Sequence, residues 1–169
     1  MASTYSTSLK LELQATGENA GTWGTKTNTN LELVEQAVGG YEEVSIAGGA
    51  GTTALAMSDG AASNARNMVV KLTGTITGNR IVTVPDSMEK VYIVSNGTTG
   101  SFTVQFKTVS GTGYTFVAAD KSVRVLFADG TNIVDTGIIN TSSTDTLTNK
   151  TLTSPTINGA TTTGTIANS

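Results

Sequence analysis

From Tyr41 to about Asn140 the sequence is cut into short runs in which apolar and polar side chains alternate, each run closed by Gly, Asn or Asp. A period of two sends successive side chains to opposite faces, so each run reads as a half-buried strand. The clearest is Ser101 to Thr108, where Phe102, Val104 and Phe106 alternate with Thr103, Gln105 and Lys107. Arg66 to Thr73, Arg80 to Val84, Lys90 to Ser95, Lys121 to Phe127 and Thr131 to Val134 are comparable. Asn96-Gly97 and Asp129-Gly130 are pairs suited to two-residue hairpin turns, and Pro85, which has no backbone N–H to donate, ends the run before it. Charged residues make up 14% of the chain and aromatics 5%, with 19 glycines, a balance that suits strands and tight turns better than long helices. The expected fold is mainly β, an antiparallel β-sandwich of jelly-roll type over residues 41–140.

Residues 1–40 read as an extended segment with one short helix. Leu9, Leu11 and Leu13 alternate with Lys10 and Glu12 as in a half-buried strand, and Gly17 to Gly24 forms a glycine-rich loop around Trp23, the only tryptophan. Asn28 or Thr29 can cap a helix over about Asn30 to Val38, in which Leu31, Val34 and Val38 share one face while Glu32 and Glu35 point away; Gly39-Gly40 stops it. A helix of that length does not stand alone in water and must dock, on its own chain or on another subunit. Trp23 either covers its own domain or anchors an interface, where aromatic side chains concentrate binding energy.

Beyond Asn140 the chain is rich in Thr, Ser, Asn and Gly, with isolated apolar residues at Leu147, Leu152, Ile157 and Ile166. Such a segment has no core of its own. Copies lying together can bury those side chains on a common axis, which makes residues 141–169 the expected start of an extended shaft.

Several function classes are disfavoured. The chain has neither His nor Cys, so the usual general base, the thiol nucleophile and the commonest metal ligand are missing; no enzyme activity, metal or cofactor is expected. A net charge of -3 lacks the basic footprint of nucleic-acid binding. No apolar run approaches the ~20 residues of a membrane span, and the amino terminus has no secretory-signal pattern. Gly49-Ala50-Gly51-Thr52-Thr53-Ala54 matches a dinucleotide-binding fingerprint in letters only; a turn between strands explains it better.

Two segments carry a resemblance. Ala15 to Gly24 with the following Asn28 to Leu33 resembles the amino-terminal region of fibre-like structural proteins of tailed phages of marine bacteria, and Leu147 to Asn158 resembles the Thr-rich repeats that lead into their shafts. The resemblance implies a virion location, a homotrimer, and attachment to other virion proteins of the tail, baseplate or neck, with a distal part of the fibre reaching host-surface glycans. On it, Trp23, Leu31 and Val34 belong to the anchoring region, and Leu147, Leu152, Ile157 and Ile166 line the shaft. The rival expectations are a carbohydrate-binding module using Tyr92 and Tyr114, and a capsid decoration protein.

Overall fold

Alternation along a strand decides which side chains meet a core, and that pattern accounts for most of the structure, a computed structural model that describes residues 2–138. Among these residues the chain is mainly β, with three sheets and one α-helix. In order come β1 (Thr4–Tyr5), β2 (Glu12–Leu13), α1 (Trp23–Gly39), β3 (Tyr41–Ser45), β4 (Gly51–Ala54), a short 3-10 turn (Asn64–Arg66), β5 (Val69–Thr73), β6 (Arg80–Val84), β7 (Glu89–Asn96), β8 (Val104–Thr108), β9 (Gly113–Phe116), β10 (Val123–Asp129) and β11 (Ile133–Asp135).

The expected antiparallel pairing is corrected. β3, β5 and β7 run parallel in a five-stranded sheet, and β4, β6 and β8 run parallel in a four-stranded one. The chain crosses from one sheet to the other after each of β3, β4, β5, β6 and β7, so it winds in successive turns stacked in register. Tyr41 lies beside Val69 and Val69 beside Ile93; Gly51 lies beside Arg80 and Arg80 beside Val104. Antiparallel strands close the far end: β9 on β8, β10 on β7, and β11 on β10.

Glycine spacing makes this winding possible. Gly48, Gly74 and Gly100 fall at equal intervals and adopt φ of 112°, 100° and 104°, each at the corner where the chain leaves one sheet for the other. At Gly74 a Cβ would also lie 2.9 Å from the Ala47 Cβ, so both the dihedral and the space exclude a side chain. The corners are joined by a bridge between Gly48 and Ile76, by another between Thr75 and Thr99, and by a 2.9 Å hydrogen bond between the Thr75 and Thr99 hydroxyls.

Asn96-Gly97 is such a corner and not a hairpin. The buried Asn96 donates from Nδ2 to the Asp120 carbonyl at 2.6 Å and accepts at Oδ1 from the Thr98 hydroxyl at 2.7 Å, which turns the chain away towards β8. Asp129-Gly130 does make the β10–β11 hairpin, where Asp129 Oδ1 accepts the backbone N–H groups of Thr131 and Asn132.

The inner faces of the two larger sheets share one core. Val70, Leu72, Tyr92, Val94 and Leu126 come from one sheet and Val82, Val84, Val104, Phe106 and Phe116 from the other, all fully buried. Tyr92 meets Phe106 edge to face with ring centroids 5.4 Å apart. Each large side chain buried in this way contributes about 1.5–3 kcal/mol. Tyr92 also donates its hydroxyl to the Ala65 carbonyl at 2.8 Å, and burial pushes that hydroxyl above the ordinary tyrosine value.

Residues before β3 are tied to this body through Arg66, which is fully buried. Its Nε donates to the Leu9 carbonyl at 3.1 Å, one terminal nitrogen to Gln36 Oε1 at 3.2 Å and to the Ala61 carbonyl, and the other to the Ser58 carbonyl at 2.7 Å. The Gly60 N–H donates to the Lys10 carbonyl and the Glu89 N–H to the Ser8 hydroxyl, adding two further ties. The expected apolar strand face at Leu9, Leu11 and Leu13 does not form: Glu12 is the buried residue and Leu13 is exposed, because Glu12 finds partners on α1.

Lys90 sits near this junction. Its Nζ donates to the Asn67 carbonyl at 2.9 Å and lies 3.7 Å from the Tyr92 ring centroid. Burial, and secondarily the charge of Arg66, pushes its ammonium down to about 7. Below that pH the folded and unfolded chains both carry the proton, and the buried charge is held at full penalty. Between about 7 and the ordinary lysine value the unfolded chain binds more protons than the folded one, so stability rises with pH. Lys90→Met, which keeps the stem on the Tyr92 ring, is expected to gain on the order of 1 kcal/mol below pH about 7. The gain should shrink as pH rises, read by denaturant unfolding across that window; equal pH slopes for the two proteins would remove Lys90 as the cause.

Candidate functional site

The first two turns of α1 are poor helix formers, Trp23-Gly24-Thr25-Lys26-Thr27-Asn28-Thr29-Asn30, and the Thr22 side chain makes no cap hydrogen bond. Contacts with β2 hold them instead. Lys26 pairs with Glu12 at 2.9 Å, and the Asn30 side chain accepts from the Glu12 N–H at 2.9 Å and donates to the Glu12 carbonyl at 2.8 Å. The hydrogen bond from Lys26 holds the Glu12 carboxyl below its ordinary value, burial opposing and Asn19 assisting. For this reason the helix runs from Trp23 to Gly39 and not from about Asn30, as local sequence alone suggests.

α1 stops where Gly40 turns extended, at φ -69°, with its N–H on the Gln36 carbonyl at 3.0 Å. Glycine is needed there for room, since a Cβ would run into the Gln36 carbonyl and the Asn67 side chain.

Leu33 and Ala37, one turn apart, are the residues that α1 buries, and Gln36 beside them accepts from Arg66 and from the Ser63 N–H. The larger apolar side chains face the other way. Trp23 is 65% exposed, Leu31 63%, Val38 64% and Val34 37%. At about 100° per residue these four fall within roughly 80° of one another, a single stripe along the helix. Tyr41, just past the helix, is 55% exposed. Further round the helix from the stripe, Glu32, Glu35, Gln36, Gly39 and Gly40 line a shallow groove open to solvent.

The structure therefore brings Trp23, Leu31 and Val34 together on one free helix face. Local sequence grouped Leu31, Val34 and Val38 on one face, and the earlier start of the helix adds Trp23 to it. Leu147, Leu152, Ile157 and Ile166, with the whole of residues 141–169, lie outside the described residues.

The aromatic residues considered for sugar stacking are placed differently. Tyr92 is buried and presents no face to solvent. Tyr114 packs edge to face on Phe116 with centroids 4.9 Å apart, lies 5.1 Å from the Arg124 guanidinium, and donates its hydroxyl to Asp120 Oδ2 at 2.9 Å. Burial first, and the Asp120 partner second, pushes the Tyr114 hydroxyl up to about 12. Burial raises the Asp120 carboxyl, but hydrogen bonds from Ser122 and Tyr114 outweigh it and leave the group below its ordinary value. Arg124 lies 3.6 Å from Asp120 and 3.9 Å from Asp135. This network ties β9, β10 and β11 together, and its groups are engaged with one another.

Gly49 to Ala54 forms a turn and β4, and no α-helix lies between β4 and β5, so the phosphate-cradling geometry of a dinucleotide site is not formed. Among the described residues no three His, Cys, Asp or Glu side chains are grouped to hold a metal ion, and no helix is long and apolar enough to cross a membrane. No family model matches the chain, and no curated protein or solved structure matches it significantly.

Proposed function

We propose that this chain is a structural protein of a tailed-phage virion, the virus-proximal module of a trimeric fibre. The observation that carries the reading is the solvent-facing stripe of Trp23, Leu31, Val34 and Val38 in the segment that resembles fibre amino termini. Contiguous apolar surface is seldom left open on a soluble protein without a partner, and aromatic anchors are where interface energy gathers. On this reading α1 docks to the particle. The two sheets with their shared core serve as a stiff, sandwich-like shoulder, and residues 141–169 begin a shaft in which Leu147, Leu152, Ile157 and Ile166 from three chains meet on one axis. Function is then mechanical, transmitting attachment from the particle to a distal, host-contacting part of the fibre.

The test is solution mass, by light scattering after size exclusion, for the whole chain beside a version ending at Asn140. A trimer that becomes a monomer on truncation is the expected result. Monomers in both would overturn the trimeric shaft, and trimers in both would move the self-contact to residues 1–140.

A further inference from the structure

We propose that the outer face of the five-stranded sheet is where copies of this chain meet. This rests on the trimeric reading above and names the surface that the copies share. Strand register lays apolar side chains in two adjacent rows on that face: Tyr41, Val69, Ile93 and Val125 in one, Val91, Phe127 and Val134 in the other. Tyr41, Val91 and Phe127 are exposed and the other four half-buried. With Tyr92, Val94, Leu126 and Ala128 facing the core, β7 is apolar on both sides over Val91 to Val94, and β10 over Val125 to Ala128. A sheet with one face in water alternates apolar with polar residues, whereas continuous apolar strands belong to sheets covered on both sides. The four-stranded sheet shows the contrast. Its outer rows, Thr52, Ile81, Gln105 and Thr115 and then Ala54, Thr83 and Lys107, are mostly polar.

Charge, area and the path of the chain point to a second copy as the cover. Charged side chains stand only at the margins of the face: Glu43 paired with Lys71 at 3.4 Å on one side, Glu89 and Asp129 on the other, Asp129 committed to its own hairpin. The centre is neutral, so copies meet there without burying an unmatched charge. The open apolar area is on the order of 400 Å², about half of the roughly 800 Å² that each partner gives to a standard interface. That is too little to recruit a separate protein, but it suffices for copies already held close. The chain supplies the closeness. β11 is the edge strand of this sheet, and Thr136 beyond it still donates its N–H to the Val125 carbonyl at 3.2 Å, so the segment proposed to join the copies sets out from the border of this face. Residues 139–169 are themselves a poor cover, since their apolar side chains stand singly while a copy of the face offers two matching rows.

The chain has no cysteine, so a single introduced one reports its own surroundings. Val91→Cys, and Thr115→Cys on the outer face of the other sheet, are each made in the whole chain and in the version ending at Asn140, which keeps the entire core cluster. Maleimide labelling rates are read beside mass by light scattering. The expected result is a whole-chain trimer in which Val91→Cys labels about tenfold more slowly than in the shortened monomer, while Thr115→Cys labels alike in both. Val91→Lys should raise the concentration at which the whole-chain trimer dissociates about tenfold, and should leave the melting temperature of the shortened monomer unchanged. A trimer in which Val91→Cys labels as fast as in the monomer would overturn this contact and leave the trimeric reading standing. Protection at Val91→Cys in a trimer that Val91→Lys does not weaken would overturn it in favour of cover by residues 139–169 of the same chain. A whole chain that is monomeric at every concentration would overturn the trimeric reading and this contact with it.

Discussion

Phe106→Asp yields a chain that does not fold, seen as loss of the β-sheet circular-dichroism signal and of dispersed amide resonances. Phe106 is fully buried on β8, between the two larger sheets and edge to face with Tyr92. Truncating a buried phenylalanine costs about 3–5 kcal/mol through lost burial and the cavity left behind. The carboxylate adds several kcal/mol more, roughly, because it is placed in a fully buried apolar cluster. Together these reach the roughly 5–15 kcal/mol by which a domain of this kind is stable. Phe106→Leu keeps an apolar side chain in the same place and should fold with a modestly lower melting temperature. A folded Phe106→Asp protein with an unchanged melting temperature would show that the two sheets do not close on this residue.

The second large effect is expected at Arg66. Arg66→Ala removes a guanidinium that satisfies the carbonyls of Leu9, Ala61 and Ser58 and the Gln36 side chain. Each polar group left unsatisfied in a buried setting costs about 1–3 kcal/mol, so with partial rescue by entering water the loss is about 3–4 kcal/mol. Its location matters more than its size. The groups released belong to the amino-terminal segment, to α1 and to the loop before the 3-10 turn, whereas β5 to β8 keep their own ladders. Hydrogen exchange should therefore accelerate across residues 2–39 while the central strands stay protected. Arg66→Lys should give little rescue, since one ammonium cannot reach acceptors set in divergent directions. Unchanged exchange in residues 2–39 would mean that Arg66 is not what fastens the helix to the body.

Strand positions were legible where the chain states them locally. Arg80 to Val84 is bounded by Pro85 and stands where the pattern puts it, while the run Ser101 to Thr108 yields a strand only over Val104–Thr108. Strand direction was not legible, because alternation records which face a side chain takes and says nothing about the neighbour's polarity. The parallel winding is written instead in Gly48, Gly74 and Gly100, whose even spacing shows only when the three are considered together. The helix illustrates a different limit. Its start depends on Asn30 and Lys26 reaching Glu12, a contact invisible to any local window. Its apolar face was identified correctly as a face, yet the chain's own packing uses Leu33 and Ala37, so grouping by hydrophobicity pointed to the surface left free.

The parallel stacking has a consequence for size. Each turn of the winding offers, along its open edge, the same kind of hydrogen-bonding surface as the turn it covers. Within this body β3 and β4 are the edge strands at which the series stops. A related chain that duplicated one whole turn, corner glycine included, would insert a layer without disturbing either α1 at one end or the antiparallel closure at the other. Such a body changes length only in steps of one strand spacing, about 4.8 Å, and selection on its reach acts by counting turns.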